Sequence, residues 1–259
     1  MTTYLIGNWK MQLNESESEA LAKEVVRLWA GQGEGKPDAA VVICPSHMAL
    51  EECAKAVKGM PVALGGQDVF WEDKGAFTGE ISPKTLKELG CDYCIVGHSE
   101  RRQHLGETDE MVNKKTLALL RHNITPIICV GETMEERSAG RRDAVVIAQV
   151  RAALAGVKPV GSQKLIVAYE PRWVIGTGKA VSPEDAAEMH HLILGTLHEL
   201  LSSDIVEDRC AIIYGGAVDA KNLAGFLAMD VIRGALVGGA SLKPQEFAAM
   251  AEITADAKK

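Results

Sequence analysis

A regular alternation constrains this chain more than any single motif. Short apolar, β-branched runs recur at residues 4–6, 39–44, 61–64, 93–96, 125–130, 164–169, 210–214 and 234–237. Most are separated by a stretch in which apolar residues repeat at helical spacing. The helix starts are marked. Ser16 and Glu19 match a capping box ahead of Leu21, Val25, Leu28 and Trp29, which fall on one helical face. Ser82-Pro83 and Ser182-Pro183 each offer an N-cap followed by proline at the first helical position. The 259 residues suit one (β/α)8 barrel. No Pro/Gly/Ser-rich linker divides them, so residues 1–259 are expected to form a single α/β domain. A closed barrel follows if every strand is parallel; periodicity does not report closure, and an open doubly wound sheet stays compatible with it.

Composition narrows the function classes. The longest apolar stretches, Ala39 to Cys44 and Leu165 to Tyr169, fall far short of the roughly 18 residues of a membrane span. Met1 to Lys10 lacks the basic and apolar regions of a secretory signal, so a cytosolic location is expected. The net charge of −7, without a lysine- or arginine-rich block, argues against a nucleic-acid partner. The six cysteines lie mostly in apolar runs and read as free core thiols. Cys91 and Cys94 have C-x-x-C spacing but sit in an expected strand, where a redox or metal pair is disfavoured. The two glycosylation sequons, at Asn14 and Asn123, read as chance matches.

In parallel βα folds, chemistry gathers in the loops at the C-terminal ends of the strands. Asn8-Trp9-Lys10 follows the first apolar run, Gly97-His98-Ser99-Glu100 the fourth and Glu170-Pro171-Arg172-Trp173 the sixth. Gly215-Gly216 and Gly238-Gly239 follow the seventh and eighth, where such barrels bind phosphate. This is an acid/base site beside an anion site. Glu170 can take a proton from carbon if burial raises its basicity. His98 precedes what reads as the first turn of a helix, whose positive end favours a neutral ring able to donate to a developing enediolate. Lys10 adds fixed positive charge. The other six histidines read as structural. Val174 to Ala180 is a glycine-containing loop suited to gripping phosphate, yet Trp173 and Ala180 break the Walker pattern at both ends.

These segments, together with Gly75 to Glu80, Ile95 to Arg102, Cys129-Val130-Gly131-Glu132, Ile175 to Lys179 and Gly234 to Leu242, make the chain resemble the triosephosphate isomerase family over essentially its whole length. The resemblance implies a TIM barrel that interconverts dihydroxyacetone phosphate and glyceraldehyde 3-phosphate in glycolysis and gluconeogenesis, with no metal or organic cofactor. It implies Glu170 as base, His98 as electrophile, and Asn8 and Lys10 as the orienting and charge-stabilising pair. Gly176, Ala217, Gly238 and Gly239 would join Asn8 and Lys10 in binding substrate, with Ile175 and Leu236 covering Glu170 and Glu100 near Lys10. It further implies a homodimer through the loop around Phe77-Thr78-Gly79.

Departures from the family pattern cluster near the phosphate loop. Arg172 and Val174 alter its entry, Ala217 stands where the family has a serine hydroxyl, and Leu194 and Arg233 replace an arginine–aspartate pair. Losing both members of a pair strands no charge. Weaker or slower loop closure is the expectation. A lyase or aldolase barrel would reuse the glycine loops, but no second strand-end lysine is placed as a Schiff-base nucleophile. An idle scaffold barrel would have no need of Asn8, Lys10, His98 and Glu170 together.

Overall fold

The computed structural model describes residues 2–30, 39–174 and 180–257. Its strands are β1 (Thr3–Asn8), β2 (Ala39–Cys44), β3 (Ala63–Gly66), β4 (Cys91–Val96), β5 (Thr125–Val130), β6 (Leu165–Tyr169), β7 (Cys210–Tyr214) and β8 (Gly234–Val237). Each pairs in parallel with its successor and β8 closes on β1, so the barrel is the alternative realised. Between and after the strands run α1 (Glu15–Ala30), α2 (Leu50–Val57), α3 (Pro83–Glu88), α4 (Ser99–His104), α5 (Asp109–Arg121), α6 (Met134–Ser138), α7 (Arg142–Ala153), α8 (Pro183–Leu200), α9 (Ser203–Arg209), α10 (Leu223–Leu227) and α11 (Pro244–Asp256). Among the described residues no helix is long and apolar enough to cross a membrane.

The strands are apolar throughout because both faces are covered. Tyr4 and Ile6 of β1, Val42 and Cys44 of β2, and Ala211 and Ile213 of β7 fill the barrel interior. Leu5, Val41, Ile43 and Ile212, one residue out of phase, pack in the layer beneath the helices. Gly234 opens β8 at φ 147°, and a Cβ there would lie 2.0 Å from the Tyr4 carbonyl oxygen. Only glycine lets β8 approach β1 closely enough to close the ring.

Three local expectations are corrected. β3 begins and ends two residues later than the 61–64 run. Pro61 has no N–H for the ladder, and its carbonyl accepts from Trp29 Nε1 at 3.0 Å. Gly65 instead enters the sheet because a side chain there would collide with Cys44 Sγ, 2.7 Å from its Cβ position. The capping box of α1 uses Asn14 and Glu17 rather than Ser16 and Glu19. Asn14 Oδ1 accepts from Glu17 N and Glu17 Oε2 from Asn14 N, both at 2.9 Å. Asparagine caps as well as serine does, and the earlier start lengthens the helix by two residues. Glu19 pairs with Lys23 instead. Ser82 stands at the N-cap of α3, but its hydroxyl donates to the Asp73 carbonyl at 2.7 Å. Ser182, by contrast, accepts from Asp185 N at the start of α8, as expected.

A charged quartet, three of its members buried and Arg101 partly exposed, ties the exit of β3 to α4 and α5. Lys115 lies 2.7 Å from Asp68 and 3.1 Å from Glu107, and Arg101 lies 2.8 Å from Asp68 and 2.5 Å from Glu107. Burial pushes Asp68 up to about 6 against the pull of Lys115 and Arg101. Burial also opposes ionisation of Glu107, yet the same two cations hold it below the usual carboxylate range. All six cysteines are free.

Candidate active site

Because every strand runs the same way, residues at the strand ends share one rim. Asn8, the last residue of β1, is 6% exposed and accepts from Lys10 N at 3.1 Å. That contact turns the chain so that Lys10 adopts φ 52°, a left-handed conformation that costs a non-glycine residue about 1–3 kcal/mol. Gln67, just past β3, donates to the Lys10 carbonyl at 2.7 Å and to the Cys44 carbonyl at 3.0 Å. The Lys10 ammonium lies 2.5 Å from Glu100 Oε1.

His98 is the N-cap of α4, and its Nδ1 accepts from Glu100 N at 3.2 Å. An Nδ1 that accepts carries no proton, so the hydrogen of the neutral ring sits on Nε2. Nε2 lies 3.2 Å from Glu170 Oε1. Glu170, only 1% exposed, begins the loop after β6, and its Oε2 accepts from Ser99 N at 3.0 Å. Two glycines make room for it. A Cβ on Gly131 would lie 1.7 Å from the Glu170 carbonyl oxygen, and one on Gly215 would lie 2.7 Å from its Cγ. Cys129 stands beside Glu170; burial first, and then the carboxylate, keep its thiol well above the ordinary range.

Asn8, Lys10, His98 and Glu170 thus line one cleft of about 480 Å³ with Ala217, Asn222, Leu236, Gly238 and Gly239. Gly238 and Gly239 leave their side open. A Cβ on Gly239 would meet nothing within 4 Å, and one on Gly238 only the Lys10 side chain, at 3.7 Å. An acid/base pair therefore faces accessible glycine backbone and the Lys10 ammonium group. Gly176 and Ile175 lie outside the described residues.

The entry to that loop is anchored. Glu132, fully buried after β5, accepts from Tyr169 Oη at 3.1 Å and from Trp173 Nε1 at 2.9 Å, with Arg137 stacked 4.9 Å from the Trp173 ring. Val174 is 1% exposed, so the β-branched departure is absorbed by the core. Arg172 Nε is buried without a hydrogen-bond partner among the described residues, while its charge acts on Glu135 in α6. Leu194 packs on the core, and Arg233 is half-buried with no ion pair among the described residues.

Gln67, Ser99, Cys129 and Asn222 were not singled out as site residues from the sequence. Gln67 lies three residues beyond the 61–64 run, and only the later end of β3 at Gly66 brings it to the rim. Ser99 contributes only its backbone N–H, and Cys129 reads as any core thiol.

The family model described as triosephosphate isomerase matches residues 3–254. A triosephosphate isomerase of Roseiflexus sp. (strain RS-1) is 49% identical over 246 residues, 95% of each chain. One of Caldanaerobacter subterraneus subsp. tengcongensis is 48% identical over 94% of this chain and 96% of its own. Among solved structures, triosephosphate isomerase from Bartonella henselae superposes with a TM-score of 0.86 at 31% identity, covering 98% of this chain and 99% of that one.

Proposed function

The chain belongs to the triosephosphate isomerase family, and on that premise we propose how its cleft divides the reaction among its residues. The protein is an isomerase that interconverts dihydroxyacetone phosphate and D-glyceraldehyde 3-phosphate. Residues 1–259 act as one catalytic domain.

Glu170 removes a proton from the carbon beside the carbonyl. The C–H electron pair forms the carbon–carbon double bond, and the carbonyl oxygen becomes an enediolate oxygen. His98 donates to that oxygen from Nε2, and Lys10 supplies fixed positive charge; both act without reorganising as charge develops. His98 passes its Nε2 proton to the enediolate oxygen and takes the proton of the neighbouring hydroxyl, whose oxygen becomes the new carbonyl, while protonated Glu170 returns its proton to the neighbouring carbon. Asn8 holds Lys10 in place and orients the substrate. Gly176, Gly238 and Gly239 bind the phosphate through backbone N–H groups, with Ala217 lining the same subsite. Leu236, 3% exposed, helps keep water from Glu170.

The observation that carries this reading is the buried Glu170 carboxylate 3.2 Å from a histidine nitrogen that must bear a proton. The test is turnover of glyceraldehyde 3-phosphate by purified protein and by Glu170→Gln. The substitution should lower kcat by about 10²–10⁴-fold while a phosphate-bearing inhibitor still binds. A largely active variant would remove Glu170 from the mechanism.

The working unit is a homodimer through the loop around Phe77-Thr78-Gly79. Phe77, tilted against Phe70 with ring centroids 4.6 Å apart, is 43% exposed, and Met11 beside Lys10 is 93% exposed, apolar surface that a second copy would cover. Activity should then fall on dilution; a specific activity independent of concentration at dilutions that yield monomer would exclude the dimer requirement. The cytoplasm is the compartment of this reading, and six free thiols suit a reducing environment.

A further inference from the structure

We propose that Asn222 is a positioning residue for the substrate's phosphate, acting through the turn that follows β7; this rests on the reading of the cleft given above. Asn222 occupies the N-cap position of α10, where an asparagine ordinarily spends its carboxamide on its own helix. Here it makes no such cap. Its Oδ1 accepts from Asp219 N at 2.9 Å and its Nδ2 donates to the Ala217 carbonyl at 3.3 Å, both upstream in the chain. The Asp219 carboxylate accepts in turn from Lys221 N at 2.9 Å and Asn222 N at 3.1 Å. The segment from Ala217 to Asn222 is therefore closed on itself by side chains.

The same segment walls the cleft. Ala217, Asp219 and Asn222 line it together with Lys10, Gly238 and Gly239. Gly215 N is committed to the Tyr169 carbonyl at 2.8 Å, but the N–H groups of Gly216, Ala217 and Val218 make no hydrogen bond among the described residues. Ala217 has no hydroxyl, so this turn can offer an anion only those amides. The Ala217 carbonyl shares its peptide plane with Val218 N–H, so the Asn222 carboxamide sets the direction of that amide and holds the turn that carries the other two. Releasing the clamp lets the amides diverge, and misdirected donors lose affinity for a phosphate without disturbing proton transfer at Glu170 and His98.

The test compares Asn222→Ala and Asn222→Asp with the unsubstituted protein. The measurements are kcat and KM for glyceraldehyde 3-phosphate, Ki for inorganic phosphate, kcat/KM for phosphate-free glyceraldehyde, and the melting temperature. In Asn222→Ala, KM and the phosphate Ki should rise together by about tenfold, the equivalent of one hydrogen bond to a charged group. Turnover of phosphate-free glyceraldehyde should stay within about twofold. Asn222→Asp keeps the acceptor for Asp219 N but sets an anion where the donor was. It should raise both constants further while melting near the unsubstituted protein, an order that a merely structural role would not give. Parallel loss on both substrates, or unchanged KM and Ki, overturns the proposal. If the unsubstituted protein neither turns over glyceraldehyde 3-phosphate nor binds inorganic phosphate, the reading of the cleft fails first.

Discussion

Lys10 is the residue at which the site stores strain. Its left-handed backbone at φ 52° is held from three sides, by Asn8 Oδ1, by Gln67 and by the Glu100 carboxylate, so the ammonium points into the cleft. Asn8, Lys10, His98 and Glu170 were legible in the sequence because each lies within two residues of a strand end, and parallel strands bring those ends to one rim. Gln67 was not, since the run at 61–64 ends the strand too early and leaves it stranded in an apparent loop. Ala217 is the departure with the sharpest consequence. A hydroxyl restored by Ala217→Ser adds one donor to the phosphate subsite, and KM for glyceraldehyde 3-phosphate should fall by about tenfold if the donor reaches the dianion. Unchanged KM and kcat would show that the backbone amides already suffice.

Single elements are held by polar groups that the chain supplies from far apart. Lys115 on α5 joins Asp68 after β3 and Glu107 after α4, together with Arg101 of α4, and hydrophobic periodicity gives no hint of that meeting. Lys115→Met keeps the buried stem but leaves two carboxylates with one cation. Such a substitution should cost about 3–5 kcal/mol, read from the urea midpoint. A loss below about 1 kcal/mol would mean that water reaches the quartet and screens it. At the helix starts, the cap of α8 agreed with its sequence signal and that of α1 did not. Two overlapping matches, Asn14 with Glu17 and Ser16 with Glu19, compete there, and the one that makes the helix two residues longer prevails. The loop entry after β6 is anchored by Glu132, 41 residues away from Trp173, a contact no local pattern announces.

The whole molecule carries a pH dependence in its buried thiols and phenols. Burial pushes Cys53, Cys91 and Cys210 up to about 12 from the 9.0 of an ordinary thiol, and raises Cys44, Cys94, Cys129, Tyr4 and Tyr169 as well. A group whose folded value is raised holds its proton longer in the folded state. Its contribution is complete below the unfolded value and is lost as pH rises through the folded one. Stability should therefore be flat near neutrality and fall between about pH 9 and pH 12, seen as a declining urea midpoint. At pH 8 a thiol reagent should label the native protein slowly and all six cysteines after unfolding; rapid native labelling would contradict the burial. The sequence by itself determined the eight strand-and-helix units, the loops that carry chemistry and the family, because apolar spacing and short motifs are local properties of the chain. Tertiary structure alone decided that the sheet closes, that β3 slips by two residues, and that Ser99, Cys129 and Gln67 meet Glu170 and Lys10. Those outcomes depend on pairs distant in sequence, such as Tyr4 against Gly234 and Gly65 against Cys44, whose steric fit no local pattern encodes.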